Sequence, residues 1–224
     1  MCEKCNDTGW IKYISDGYEY VRECDCHKKQ RVIDNAKNSG LGDLLNIYSF
    51  DSFRTDMGFQ KTLYEKAKTF LSETDNKWFT VLGKTGCGKS HICTAICKEM
   101  IDRGYVVKFM SWIDDSRTLK ANLYERDYGE IVEPYKNAEV LYIDDFFKNE
   151  PTSADIRLAN EILNYRYNKA RTAKDRMITI ISSEKPINTL IEIDKAIAGR
   201  VVEMSGNYLV LLKDAVNYRL KKYL

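Results

Sequence analysis

The run Gly83-Lys84-Thr85-Gly86-Cys87-Gly88-Lys89-Ser90 fits G-x-x-x-x-G-K-[ST] at every position, after an apolar stretch and before a helical one. Glycines at these places let successive backbone N–H groups turn inward onto phosphate oxygens, and the following helix adds the positive end of its dipole. Lys89 is then placed for the β- and γ-phosphates. The Ser90 hydroxyl is placed for Mg²⁺, a hard cation that takes oxygen ligands. His91 closes the nucleotide-binding span at 83–91; it reads as exposed, with no separate role.

A second apolar run, Val140-Leu141-Tyr142-Ile143, ends in Asp144-Asp145. Asp144 would hold the Mg²⁺ shell, and Asp145 would orient and deprotonate the attacking water. A third run, Met177-Ile178-Thr179-Ile180-Ile181, leads into Ser182, Ser183 and Glu184. These groups would emerge near the γ-phosphate if their strand lies between the other two. Arg200 follows Ala198-Gly199 at what reads as a helix end. It is either a solvated cation stabilised by the helix dipole or a finger supplied to a neighbouring subunit's nucleotide.

Different chemistry stands at the start of the chain. Cys2-x-x-Cys5 and Cys24-x-Cys26 are separated by 18 residues, the spacing of a four-thiolate zinc ribbon. His27 adjoins the second pair, so the fourth ligand is Cys26 or His27; a redox pair or free thiols are the alternative. Four protein ligands leave no open position, which makes the zinc structural. Between the pairs, residues 10–14 and 18–22 read as a hairpin, and a lone two-stranded hairpin needs a clamp. Cys93 and Cys97 read as buried small apolar residues of a helix.

Positioning the phosphate loop and the two carboxylates requires a parallel sheet. Strands are expected at 78–82, 105–112, 139–144, 177–182 and 208–212, and helices at 89–102, 115–128, 154–172 and 187–200. Such alternation specifies helices on both faces and ligands at the carboxyl ends of the strands. Residues 27–45 read as a helical connector. A chain of 224 residues can bury a real core, and 35 Lys+Arg against 33 Asp+Glu excludes a globally polybasic surface. No apolar run approaches the roughly 18 residues that cross a bilayer, and no signal peptide is read, so a cytoplasmic protein without a membrane partner is expected.

Taken in order, these motifs resemble the AAA+ ATPases of the bacterial helicase-loader type, the DnaC and DnaI group, together with the transposition helper IstB. The resemblance covers about 45–224 and implies Walker A, Walker B, sensor 1 and arginine finger in that sequence. It implies a P-loop AAA+ five-stranded parallel sheet flanked by helices, with no separate helical lid, preceded by a small zinc-ribbon module. The divisions are 1–27 for the zinc module, 28–45 for the connector and 46–224 for the ATPase domain. Tyr48-Ser49-Phe50-Asp51-Ser52-Phe53 is similar to a family segment whose aromatics line the adenine side, which implies Phe50 and Phe53 there. The segment Ile162–Tyr167 is similar to a family helix that carries an Arg-Tyr pair, here Arg166-Tyr167. Where the family commonly has Thr-Ser-Asn, this chain has Ser182-Ser183-Glu184, which leaves sensing between Glu184 and the two serines, with Ser183 the catalytic candidate. Tyr218-Arg219 resembles the group's terminal pair; an ordinary basic C-terminus is the alternative for Arg219.

The expected cofactors are ATP/ADP, Mg²⁺ and Zn²⁺, and the expected assembly is a nucleotide-dependent homo-oligomer. The resemblance implies a DnaB-type replicative helicase as partner, engaged ahead of the ATPase domain. Residues 111–128 interleave Trp112, Arg117, Lys120, Tyr124, Arg126 and Tyr128, which suits single-stranded DNA. Asp114, Asp115, Glu125 and Asp127 equally suit a solvated amphipathic helix. The function expected is a helicase-loading ATPase; an IstB-like transposition helper and a nucleotide-switched module with negligible hydrolysis are the alternatives.

Overall fold

The computed structural model describes residues 2–73, 76–172, 176–213, 215 and 217–220. It begins with the hairpin β1 (Trp10–Ser15) and β2 (Tyr18–Glu23), paired antiparallel through a turn in which Asp16 and Gly17 both take positive φ. Asp-Gly is the pair that such a tight two-residue turn favours. Both strands are largely solvent-exposed, so burial contributes little to holding them.

The expected connector is two helices, α1 (Asp25–Asn38) and the short α2 (Leu44–Ile47). Its far end is built into the main body. Leu41 and Leu45 enter the core, Asn35 Nδ2 donates to Tyr105 O at 3.1 Å, and Phe109 N donates to Ser39 O at 2.7 Å.

Next comes α3 (Gly58–Ser72), an element absent from the sequence reading. Its signal was legible, because Leu63, Ala67, Phe70 and Leu71 form one buried stripe at helical spacing. The alternation then runs β3 (Trp78–Gly83), α4 (Lys89–Asp102), β4 (Val107–Ser111), α5 (Trp112–Ala121), α6 (Tyr128–Asn137), β5 (Val140–Asp144), α7 (Ser153–Thr172), β6 (Ile178–Ser183), α8 (Ile187–Ile193), α9 (Lys195–Ser205) and β7 (Leu209–Leu212). The five later strands form one parallel sheet in the order β4-β5-β6-β3-β7. Alternate residues feed two cores, with Phe79, Val81, Tyr142 and Ile180 facing α3 and α4, and Trp78, Leu141, Ile143 and Ile181 facing α7 and α9.

Two expected helices are corrected. The helix placed at 115–128 is α5 and α6, separated by residues 122–127. Ser111 N and Oγ donate to Asp115 Oδ2 (2.8 Å) and Asp114 Oδ2 (2.9 Å) and start α5 early; Asn122 closes it by donating Nδ2 to Thr118 O at 2.8 Å. The helix placed at 187–200 breaks at Asp194, whose carboxylate caps α9 by accepting from Ala196 N and Ile197 N.

Arg166 holds three elements together. It is fully buried on α7, and its guanidinium donates to Ala138 O (2.8 Å), Lys136 O (3.1 Å), Ile178 O (2.6 Å) and Thr179 Oγ1 (2.9 Å). The loop after α6, the start of β6 and α7 are thereby tied at one point. Burial lowers its pKa to about 9, and the carbonyl dipoles take the place of a carboxylate partner. Lysine has too few donors, in the wrong geometry, to replace this fork. Arg166→Lys is expected to lower stability by about 3 kcal/mol in urea unfolding, because several buried acceptors lose their donor.

Candidate functional site

The parallel register brings three strand ends to one level. β6 lies between β3 and β5, as the sequence reading required, with Leu82 opposite Ser183 and Ile143 opposite Ile181. A cavity opens beyond these ends, lined by the loop residues Thr85 to His91 and by Asp145, Lys148 and Glu184.

Gly86 and Gly88 take φ of 76° and 92°, the left-handed region that a phosphate-cradling loop needs. Gly83 has a packing reason as well: a side-chain carbon there would stand 2.7 Å from Leu212 Cβ on β7. Lys89 is buried and donates to the loop's own carbonyls, Gly83 O at 2.7 Å and Lys84 O at 2.9 Å. Its ammonium therefore sits inside the loop. Cys87 is buried, and burial pushes its thiol up, so it packs rather than reacts. Cys93 and Cys97 are fully buried on α4, as small apolar residues would be.

Ser90 Oγ donates to Asp144 Oδ1 at 3.1 Å. The same carboxylate oxygen accepts from Tyr142 OH at 2.6 Å and from Ser182 Oγ. A hydroxyl and a carboxylate facing each other are hard oxygen donors of the kind Mg²⁺ takes, so the pair fits that ion. Asp145, next along, pairs with Lys148: Nζ donates to Asp145 Oδ2 and to Glu184 Oε1, each at 2.9 Å. Thr85 Oγ1 donates to the same Glu184 oxygen. Burial works against charge on Glu184, but hydrogen bonds from Thr85 and Lys148 outweigh it and hold the carboxyl below its ordinary value.

Ser183 stands elsewhere. It is buried, and its Oγ donates to Phe146 O at 2.6 Å and accepts from Lys185 N at 3.1 Å. Of the three residues at the end of this strand, Glu184 is the one that lines the cavity, while Ser182 holds Asp144.

Tyr48, Phe53 and His91 wall the other side. His91 is half-buried rather than exposed. Its ring lies 4.7 Å from Tyr48 and 5.0 Å edge-on to Phe53, with Nε2 3.0 Å from Ser49 O and 3.1 Å from Ser52 Oγ. Burial lowers its pKa, against a smaller opposing pull from the Ser49 carbonyl, so the ring is neutral at pH 7. Phe50 is buried behind this wall, edge-on to Tyr64, and does not reach the cavity. Sequence reasoning gave no role to Lys148, Arg54 or Gln60, which also line it. The chain returns here at its far end, where Tyr218 N donates to Gly86 O at 2.9 Å and Arg54 lies over the Tyr218 ring. The Arg219 side chain lies outside the described residues.

Arg200 is not at a helix end. It stands mid-way along α9, which removes the basis for a dipole-stabilised terminal cation. Nη1 donates to Asn160 Oδ1 at 3.2 Å, and the guanidinium lies over Tyr167 and does not line the cavity. In the 111–128 region, Trp112 is 4% exposed and packs edge-on against Phe146 and Phe147, so it is core and not a stacking platform. Lys120 pairs with Asp155, and Tyr128 OH donates to Glu161. Arg117, Tyr124 and Arg126 remain exposed, Tyr124 at 89%.

At the other end of the chain, the Sγ atoms of Cys2, Cys5, Cys24 and Cys26 all lie within 4.8 Å of one another. Cys2 and Cys24 are 3.7 Å apart, and Cys5 and Cys26 are 3.4 Å apart. Four thiolates around a tetrahedral zinc stand about 3.8 Å from each other, so the set fits that ion. His27 points away: Nδ1 is 2.9 Å from Glu23 Oε1, and the ring packs on Trp10. The geometry therefore brings Cys26, not His27, into the cluster.

A family model for IstB-like ATP binding proteins matches residues 22–194. The chain belongs to this family. Over 98% of its length this IstB-like protein is 29% identical to the phage-like element PBSX protein XkdC of Bacillus subtilis, spanning 86% of that protein. Over 88% it is 26% identical to the replicative helicase loader DnaC of Escherichia coli, spanning 78% of that protein. A crystal structure of DnaI shares the fold with a TM-score of 0.62 at 20% identity, covering 76% of this chain and 92% of that one. The IstB-like protein is thus a P-loop ATPase whose five-stranded sheet is of the AAA+ kind. No helix among the described residues is long and apolar enough to cross a membrane.

If Lys89 closes on phosphate as the loop's design implies, Lys89→Ala is expected to weaken binding of a fluorescent ATP analogue by about a hundredfold, an effect of the size that losing a buried charge-assisted contact produces. The thermal midpoint of the unliganded protein should shift by only a few degrees, which separates loss of the ligand contact from loss of the fold.

Proposed function

We propose that this protein is a cytoplasmic, DNA-replication ATPase that loads a DnaB-type replicative helicase onto single-stranded DNA, built as a zinc module (1–27), a helical connector (28–45) and an ATPase domain (46–224). What carries the reading is the likeness to a replicative helicase loader over 88% of the chain, together with a cavity that unites the phosphate loop with Asp145 and Glu184, Asp144 being bonded to the loop's Ser90. Gly83 to His91, Asp144 and Phe53 bind the nucleotide, and Lys89 holds its phosphates. Ser90 and Asp144 would hold Mg²⁺, which would supply neutralisation of the phosphate charge. Asp145 orients the attacking water and takes its proton. Arg200, which does not line its own cavity, completes the site of the next subunit in a nucleotide-dependent homo-oligomer. Exposed Arg117, Tyr124 and Arg126 supply phosphate contacts and a stacking ring for single-stranded DNA.

The test is co-elution with the host's replicative helicase on a sizing column, with ATP and Mg²⁺ and again without nucleotide. A complex strengthened by ATP and weakened by Lys89→Ala is expected. Absence of any complex, with ATP-dependent DNA binding intact, would end the loader reading in favour of the IstB-type transposition helper. Asp145→Asn should retain nucleotide binding and lose turnover.

We further infer that Cys2, Cys5, Cys24 and Cys26 hold a structural zinc. The purified protein should contain one zinc per chain by elemental analysis, and Cys24→Ser should release it. Metal removal should raise the exchange rates of the hairpin amides while those of the main sheet stay unchanged, since metal affinity acts as folding free energy only where the ligands reside.

A further inference from the structure

The turn that leaves β5 is built with a strain that a nucleotide pocket does not by itself require. Asp145 and Phe147 take φ of 54° and 53°, left-handed angles that residues other than glycine adopt at a cost. The turn is held there from several sides. Asp145 N donates to Ser182 Oγ at 3.2 Å, Phe146 N to Ser182 O at 2.9 Å, and Lys148 N to Asp145 O at 3.0 Å. Phe146 and Phe147 stack with ring centroids 4.1 Å apart, both buried against Trp112. The consequence is that Lys148, three residues after Asp145, folds back over the cavity. Its ammonium bridges the carboxylates of Asp145 and Glu184, and Glu184 is latched in turn to Thr85 of the phosphate loop.

We propose that Lys148 is the residue by which this site tells a nucleoside triphosphate from a diphosphate: it clamps Asp145 to Glu184 until a terminal phosphate arrives, then passes to that phosphate and releases Asp145. The inference rests on reading this cavity as the ATPase site. Its logic is electrostatic. Glu184 lines the cavity just beyond β6, and a carboxylate there repels a terminal phosphate unless a cation accompanies it. Lys148 is that cation, and it lies on the cavity wall beside both carboxylates. An ammonium has three donors on a flexible stem, so it can take a phosphate oxygen while keeping one carboxylate. Once unpaired from Lys148, Asp145 can accept a proton from water. The water oxygen then bonds to the γ-phosphorus, the bond to the β-bridging oxygen breaks, and its electron pair leaves on ADP.

The experiment is equilibrium binding of ADP and of a non-hydrolysable ATP analogue, each with Mg²⁺, read by displacement of a fluorescent nucleotide. Lys148→Met should weaken the triphosphate by about tenfold while ADP stays within about twofold, and Lys148→Arg should restore the wild-type ratio. Glu184→Gln should shift the ratio the opposite way, towards the triphosphate, and it serves independently if Lys148→Met does not fold. Equal weakening of both nucleotides by Lys148→Met, or an unchanged ratio in both variants, would overturn the proposal while leaving the ATPase site standing. Wild-type protein that binds neither nucleotide would remove the site and the proposal together.

Discussion

The site depends on one arrangement, the insertion of β6 between β3 and β5 in parallel register. β4 pairs with β5, its successor in sequence, but β3 does not pair with β4: the order β4-β5-β6-β3-β7 interposes a later strand between the phosphate loop and Asp144. Next to that strand's last residue stands Ser182, whose hydroxyl donates to Asp144 and accepts from Asp145 N. A single side chain therefore bonds the Asp144 carboxylate and the Asp145 backbone at the end of β5. Without it, Asp144 would keep its bonds to Ser90 and Tyr142, and the strained turn would be tied to β6 by the Phe146 N to Ser182 O bond but no longer through Asp145 N.

Arg166 is the structural counterpart of that arrangement at the opposite end of the same strands. Its bonds reach Ile178 O and Thr179 at the beginning of β6 and Ala138 O just before β5. A buried guanidinium with carbonyl partners is directional in a way that apolar packing is not, because each N–H must meet an acceptor. Register in a sheet buried on both faces is weakly specified by hydrophobic pattern alone, since both faces are mostly apolar. The fork at Arg166 adds specification between the approach to β5 and the start of β6.

Legibility in the sequence tracked how local each feature is. The phosphate loop and Asp144-Asp145 were readable because backbone conformation and chemistry there are encoded within a few residues, and the five strands were readable as apolar runs. What escaped was set by partners distant in the chain. Trp112 looked like a member of a basic, aromatic surface until Phe146 and Phe147, more than thirty positions away, proved to enclose it. Lys148 carried no motif, and only the left-handed turn brings it onto Glu184. The breaks at Asn122 and Asp194 come from side chains capping backbone groups, a signal that apolar periodicity does not contain. His91 was misjudged because its neighbours, Tyr48 and Phe53, arrive from the segment before α3.

The hairpin reverses the logic of the main sheet. Ile14 and Tyr18 are 77% and 71% exposed, and the remaining residues of both strands are exposed or nearly so. Cross-strand contacts such as the stacked Tyr13–Tyr20 pair, at 5.5 Å, contribute at most about 1 kcal/mol each. That sum does not hold an isolated two-stranded ribbon in water. The buried part of the module lies instead at its base, where Cys5 and Cys24 are buried and Cys24 N donates to Gly9 O at 2.8 Å. An exposed ribbon with a closed thiol base is stable only if the base itself is cross-linked. Since the four thiols stand at metal-ligand and not disulfide separations, coordination is the form of cross-link that the geometry accommodates.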